Sequence, residues 1–141
     1  MEKIAIVYWS GTGNTEAMAQ EIAAGVTAAG GDPELIPAAS FSADQVANYR
    51  AIAFGCPSMG VEELEDSEFE PMFSAVKPQL RGKTIGLFGS YGWGDGEWMR
   101  NWEDDCKQAG CLLAAPPVIT CEAPDDEAAS ACRALGEALT T

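Results

Sequence analysis

The chain contains no histidine, and its cations are sparse: 8 Lys and Arg stand against 22 Asp and Glu, a formal net charge of −14. Without histidine, Ser-His-Asp and Cys-His catalysis are excluded, and zinc and haem sites lose their commonest ligand. The acidic excess repels nucleic acid and anionic membrane surfaces, both of which are recognised through their phosphates. It suits instead partner proteins that present basic patches. No apolar run approaches the ~20 residues a membrane span requires. The five cysteines, Cys56, Cys106, Cys111, Cys121 and Cys132, include no C-x-x-C pair. Free thiols in a reducing compartment are therefore expected, not a disulfide framework or an iron–sulfur site. Met-Glu-Lys leads directly into a strand-like run, which predicts no secretory leader and a cytoplasmic protein.

What the chain does contain fits one domain spanning 1–141, with 47% apolar and 21% charged residues, enough to bury a single core. A monomer is expected. Short apolar runs alternate with helical periodicity. Strands are predicted at Lys3–Trp9, Glu34–Ile36, Ala51–Cys56 and Thr84–Gly89, with a last one beginning at Cys111–Ala115. Helices are predicted at Asn14–Ala29, Phe69–Val76, Glu97–Ala109 and Asp125–Leu139. Continuous apolar strands alternating with helices predict an α/β fold, a three-layer α/β/α sandwich around a five-stranded parallel sheet. Such sheets bind ligands beyond the carboxyl ends of their strands. That directs attention to three loops: Ser10–Thr15, Pro57–Asp66 and Ser90–Trp98.

The first loop, within "YWSGTGNTE", is glycine-rich and lacks any lysine or arginine. A nucleotide-binding G-x-x-x-x-G-K-[ST] loop needs that lysine. A dinucleotide G-x-G-x-x-G fingerprint needs glycine where Glu16 stands. A phosphoacceptor receiver domain needs acids at the ends of the first and third strands, which here read Trp9-Ser10 and Cys56-Pro57. What remains is a nest. Gly11 and Gly13 let backbone N–H groups turn inward, Ser10, Thr12 and Thr15 supply hydroxyls, Asn14 an amide, and the following helix its positive end. That set suits one terminal phosphate dianion; the simpler alternative is an N-cap turn.

The third loop reads Ser90-Tyr91-Gly92-Trp93-Gly94-Asp95-Gly96-Glu97-Trp98. Glycines around an aromatic offer a flat ligand an uncluttered stacking face. The second loop offers Met59-Gly60, and methionine packs well on a ring. A phosphate nest beside two such faces suggests a phosphorylated planar heterocycle, a description that flavin mononucleotide (FMN) fits.

Over essentially its whole length the chain resembles the short-chain flavodoxins of anaerobes, through "YWSGTGNTE", "GCPSMGVEELEDSEFEP" and "LFGSYGWGDGEWM" in that order. The resemblance implies strand order 2-1-3-4-5, non-covalent FMN and one-electron transfer between redox partner proteins, without substrate turnover. By matching position, Ser10, Thr12, Asn14 and Thr15 with the Gly11 and Gly13 amides would hold the phosphate. Trp93 and Met59 would cover the two ring faces, beside Pro57 and Ser58. Glu62 would accept from the flavin N3–H, and the Gly60 backbone would meet N5. Ser90, Tyr91 and Gly92 would line the pyrimidine end and ribityl side. Trp9 and Trp98 are either cofactor contacts or loop packing, and Cys56 is expected to be a buried thiol. The run Glu62-Glu63-Leu64-Glu65-Asp66-Ser67-Glu68-Phe69-Glu70 adds six acids. A few carboxylates some 12 Å away would disfavour the fully reduced, anionic flavin by on the order of 1–2 kcal/mol. Lysines in the nest would cancel this. Val61 departs from the family: a turn requiring positive φ there costs roughly 1–2 kcal/mol, weakening the hold of Gly60 on N5. The alternatives are a small FMN-dependent reductase, against which no second nucleotide motif appears, and a regulatory module that binds a phosphometabolite.

Overall fold

The computed structural model describes residues 2–59 and 63–140. The strands are β1 Lys3–Tyr8, β2 Asp32–Pro37, β3 Ala51–Gly55, β4 Thr84–Tyr91, β5 Leu112–Leu113 and β6 Val118–Cys121; the helices are α1 Asn14–Ala28, α2 Phe69–Val76, α3 Glu97–Gln108 and α4 Asp126–Thr140. The sheet is parallel in the order β2-β1-β3-β4-β5, and β6 also pairs with β4. This is the order the resemblance implied.

Period-two alternation along the strands feeds two cores. Ile4 and Ile6 face Met18, Ile22 and Val26 of α1 and Leu135 and Leu139 of α4. Ala5, Val7, Phe54 and Leu87 face Phe69 and Phe73 of α2 and Trp98 and Trp102 of α3. The two layers therefore flank one sheet. In the first, α1 and α4 cross at backbone contact: a Cβ added at Gly136 would lie 2.1 Å from the Ile22 carbonyl oxygen, and one at Gly25 2.0 Å from that of Arg133.

Three boundaries differ from expectation for physical reasons. β2 includes Pro33 and Pro37, which an edge strand tolerates because the side facing away from the sheet needs no ladder bonds. β4 runs on to Tyr91, because β6 supplies a ladder as far as the Tyr91–Cys121 pair. The fifth lane of the sheet is broken: β5 holds only Leu112 and Leu113, and β6 resumes at Val118. Pro116 and Pro117 lie in the gap and cannot donate to a ladder.

Candidate functional site

The carboxyl ends of β1, β3 and β4 bring the three loops together. At the first, Gly13 takes φ 96° and turns the chain into α1, a conformation that strains any residue with a Cβ. Glycine has no side chain to cap the helix, so Ser10 caps it instead. Its Oγ accepts from the N–H of Gly13 at 3.1 Å and of Glu16 at 3.3 Å. Its hydroxyl proton remains available. Among the described residues, no acceptor is seen for the N–H groups of Gly11, Thr12, Asn14 or Thr15. A helix start leaves such donors unsatisfied, and they are suited to an anion.

Two side-chain bonds tie this loop to its neighbours. Thr15 is buried and its Oγ1 lies 3.2 Å from the Oγ of buried Ser90 at the end of β4. Trp9 donates its Nε1–H to Glu68 at 2.9 Å, and its ring lies 3.0 Å from where a Gly11 Cβ would sit. Trp9 therefore straps the first loop to the second, and Gly11 is glycine partly because that ring lies over it.

The second loop leaves β3 at Cys56, and the Ser58 N–H donates to the Ser90 carbonyl at 3.0 Å. Met59 and Glu63 then exchange both N–H···O bonds, each 2.8 Å. The expected contacts of Gly60 and Glu62, and the expected turn strain at Val61, fall outside the described residues. Beyond them stands a residue that reading the acidic run as one patch missed. Glu65 is buried at 4% exposure. Its carboxylate accepts from the N–H groups of Ser67, Glu68 and Phe69 at 2.9, 2.8 and 2.9 Å, and from the Ser67 hydroxyl. Burial pushes its carboxyl upward, but these donors outweigh that and hold it at about 2. Glu65 is thus an internal charge capping the start of α2, whereas the remaining described acids of the run, Glu63, Asp66, Glu68 and Glu70, are exposed. The signal in the sequence was a glutamate just ahead of a helix start, hidden among five other acids.

Ser90 and Tyr91 belong to β4 itself, not to the loop beyond it. Gly92 and Trp93 follow, then Gly94 and Gly96 at φ 87° and 92°. Trp93 is 60% exposed and Met59 38%. Both rise from the ends of adjacent strands and belong to neither core cluster. Trp98 does the opposite: it is buried and donates its Nε1–H to the Cys56 carbonyl at 3.2 Å. It is loop packing. Cys56 is fully buried; burial pushes its thiol up to about 12. The residues therefore fit a phosphorylated ring: free N–H donors and hydroxyls at one end, exposed apolar faces beside them, and no cation within Ser10–Thr15.

A cavity of about 610 Å³ lies to one side, between β6 and α4, and takes in Tyr91, Ile119 and Ala128. Among the described residues, no helix is long and apolar enough to cross a membrane, and no cluster of three or more metal-ligating side chains is present.

The family model described as Flavodoxin matches residues 6–136. The chain is 51% identical over 135 residues to a flavodoxin of Megasphaera elsdenii, covering 96% of each sequence. It is 44% identical over 134 residues to one of Clostridium beijerinckii, covering 95% of this chain and 96% of that one. It superposes with TM-score 0.90 on the solution structure of two-electron reduced Megasphaera elsdenii flavodoxin, over 97% of this chain and 98% of that one.

Proposed function

The chain belongs to the flavodoxin family and is an FMN-binding electron carrier without substrate turnover of its own; from that premise we propose how its residues hold the cofactor. FMN supplies reversible one-electron chemistry at its ring system, and the protein binds, orients and electrostatically biases it. The N–H groups of Gly11, Thr12, Asn14 and Thr15 and the side chains of Ser10, Thr12, Asn14 and Thr15 hold the phosphate, while the Gly13 N–H, expected to join them, is taken up by Ser10 Oγ. The capped Ser10 hydroxyl donates its remaining proton. Trp93 and Met59 cover the ring faces, with Pro57 and Ser58 at the edge. Ser90, Tyr91 and Gly92 line the pyrimidine end and ribityl side, and Gly60 and Glu62 keep the contacts the resemblance implied.

A phosphate held by neutral donors keeps its charge. Together with Glu63, Asp66, Glu68 and Glu70 it opposes further negative charge on the ring, which supports a low potential. The same exposed acids support docking of redox partners through basic patches. We read the protein as one cytoplasmic domain acting as a monomer.

The observation that carries this reading is the set of N–H groups without acceptors, clustered around Ser10 at the start of α1. Charge-assisted hydrogen bonds contribute roughly 1.5–3 kcal/mol each. Two of them suffice for about a thousandfold in affinity. Fluorescence titration of the flavin-free protein should show FMN binding at least that much more tightly than riboflavin. Equal affinities would remove the phosphate from the loop.

A further inference from the structure

The end of α3 brings two thiols together. The helix stops at Gly110, with φ 87°. The Gly110 N–H donates to the Lys107 carbonyl and the Cys111 N–H to the Cys106 carbonyl, both at 3.1 Å. This is a Schellman turn, in which the residue two past the helix end folds back onto the residue five before it and their side chains meet. Such pairs are usually hydrocarbon; here both are cysteine. Cys106 is fully buried and Cys111 is 7% exposed, in one core cluster. Both thiols are free, and each is the foremost influence on the other's proton affinity. A disulfide bridges α-carbons about 4.4–6.8 Å apart, and the 3.1 Å backbone bond from Cys111 to Cys106 draws this pair together.

We propose that Cys106 and Cys111 form a reversible dithiol–disulfide clip, closed by a hydroperoxide, that fastens the end of α3 to the start of β5. Cys111 reacts first. It is the more exposed, and the neighbouring Cys106 thiol, helped by the Lys77 ammonium, holds the Cys111 thiol below the ordinary value against burial and Asp105. The same neighbour effect, with burial, pushes the Cys106 thiol up. The Cys111 thiolate attacks one oxygen of hydrogen peroxide, the O–O bond breaks, and the departing hydroxide takes a proton to leave as water. Cys111 is now a sulfenic acid. The Cys106 sulfur attacks that sulfur, the S–O bond breaks, and the hydroxyl leaves with the Cys106 proton as a second water. Two thiols and one peroxide give one disulfide and two waters, with two electrons passing from sulfur to oxygen. A thiol reductant reopens the bond by exchange. Cys56 and Cys132 stay out of this chemistry: both are fully buried, and neither has a second thiol among the groups that act on it.

The test treats FMN-loaded protein with equimolar hydrogen peroxide, alkylates the remaining thiols and maps the peptides by mass spectrometry. Expected are a monomer lighter by two hydrogens, a Cys106–Cys111 cross-link that dithiothreitol reverses, and an unchanged flavin spectrum, since the clip sits at the opposite end of α3 from Glu97. Cys111→Ser should abolish the cross-link and Cys121→Ser leave it intact. Phenylarsine oxide, which needs two neighbouring sulfurs, should protect both cysteines from alkylation in the unoxidised protein. Oxidation confined to exposed Cys121, arrest of Cys111 as sulfinic acid with Cys106 still alkylated, or absence of arsenical protection would each overturn the clip.

Discussion

Replacing Glu65 with glutamine asks whether a single buried carboxylate holds the second loop and α2 together. The change keeps shape and removes charge. One amide oxygen can still accept from the Glu68 and Phe69 N–H groups, which Glu65 Oε1 now binds at 2.8 and 2.9 Å. The amide nitrogen then faces the Ser67 N–H, donor against donor, where Oε2 now accepts at 2.9 Å. A carboxyl held at about 2 instead of 4.5 favours the folded state by about 3 kcal/mol at neutral pH. Because the folded value is depressed, that contribution is complete above the unfolded carboxyl's 4.5 and is lost as pH falls through 4.5 towards 2. Urea unfolding without added FMN should place the Glu65→Gln midpoint about 1–2 M below the parent at pH 7, taking a slope of ~2 kcal/mol per M. The gap should narrow as pH falls below 4.5. FMN affinity should fall as well, because the Glu65 N–H donates to the Cys56 Sγ at 3.3 Å and so ties the cap to the strand end that launches the second loop. A variant within about 0.5 kcal/mol of the parent, the range of ordinary surface substitutions, with an unchanged gap at every pH, would refute the reasoning.

Other outcomes follow from the same geometry. Trp93→Ala removes a side chain that is 60% exposed and packs in neither core. It should leave flavin-free stability within about 0.5 kcal/mol yet weaken FMN by roughly 1–3 kcal/mol in a fluorescence titration. Gly136→Ala places a Cβ 2.1 Å from the Ile22 carbonyl oxygen and should cost about 2–3 kcal/mol in a thermal melt as α4 is pushed from α1. An unchanged melting temperature would mean that the helices slide freely.

Much of this was legible in the sequence. The central strands β1, β3 and β4 are marked by apolar runs, and a buried parallel strand needs little else; the Phe69–Val76 helix shows instead Phe69, Met72, Phe73 and Val76 at helical spacing. The glycines and hydroxyls of Ser10–Thr15 were legible because their chemistry is local. What escaped was non-local. Val118–Cys121 alternates between buried and exposed residues, a weak signal next to Pro116 and Pro117. Only the exposed partner edge of β4 makes it a strand. Glu65 reads like its neighbours until α2 is laid over it. Gly25 and Gly136 are unremarkable letters in helical runs until two backbones meet at them. Trp98 sat in an aromatic-rich loop yet is core, because its indole N–H finds the Cys56 carbonyl inside.

The cation-free loop at the start of α1 has a consequence for ionic strength. With no lysine or arginine in Ser10–Thr15, added salt has no cation–phosphate attraction to screen within that loop. What it screens is the repulsion between phosphate and the surrounding acids, so cofactor retention should hold or rise with salt. The proposed docking of basic partners on those acids falls with salt, steeply. A rise in salt would then release the partner and keep the flavin, so the protein could be stripped of its traffic without being emptied of its cargo.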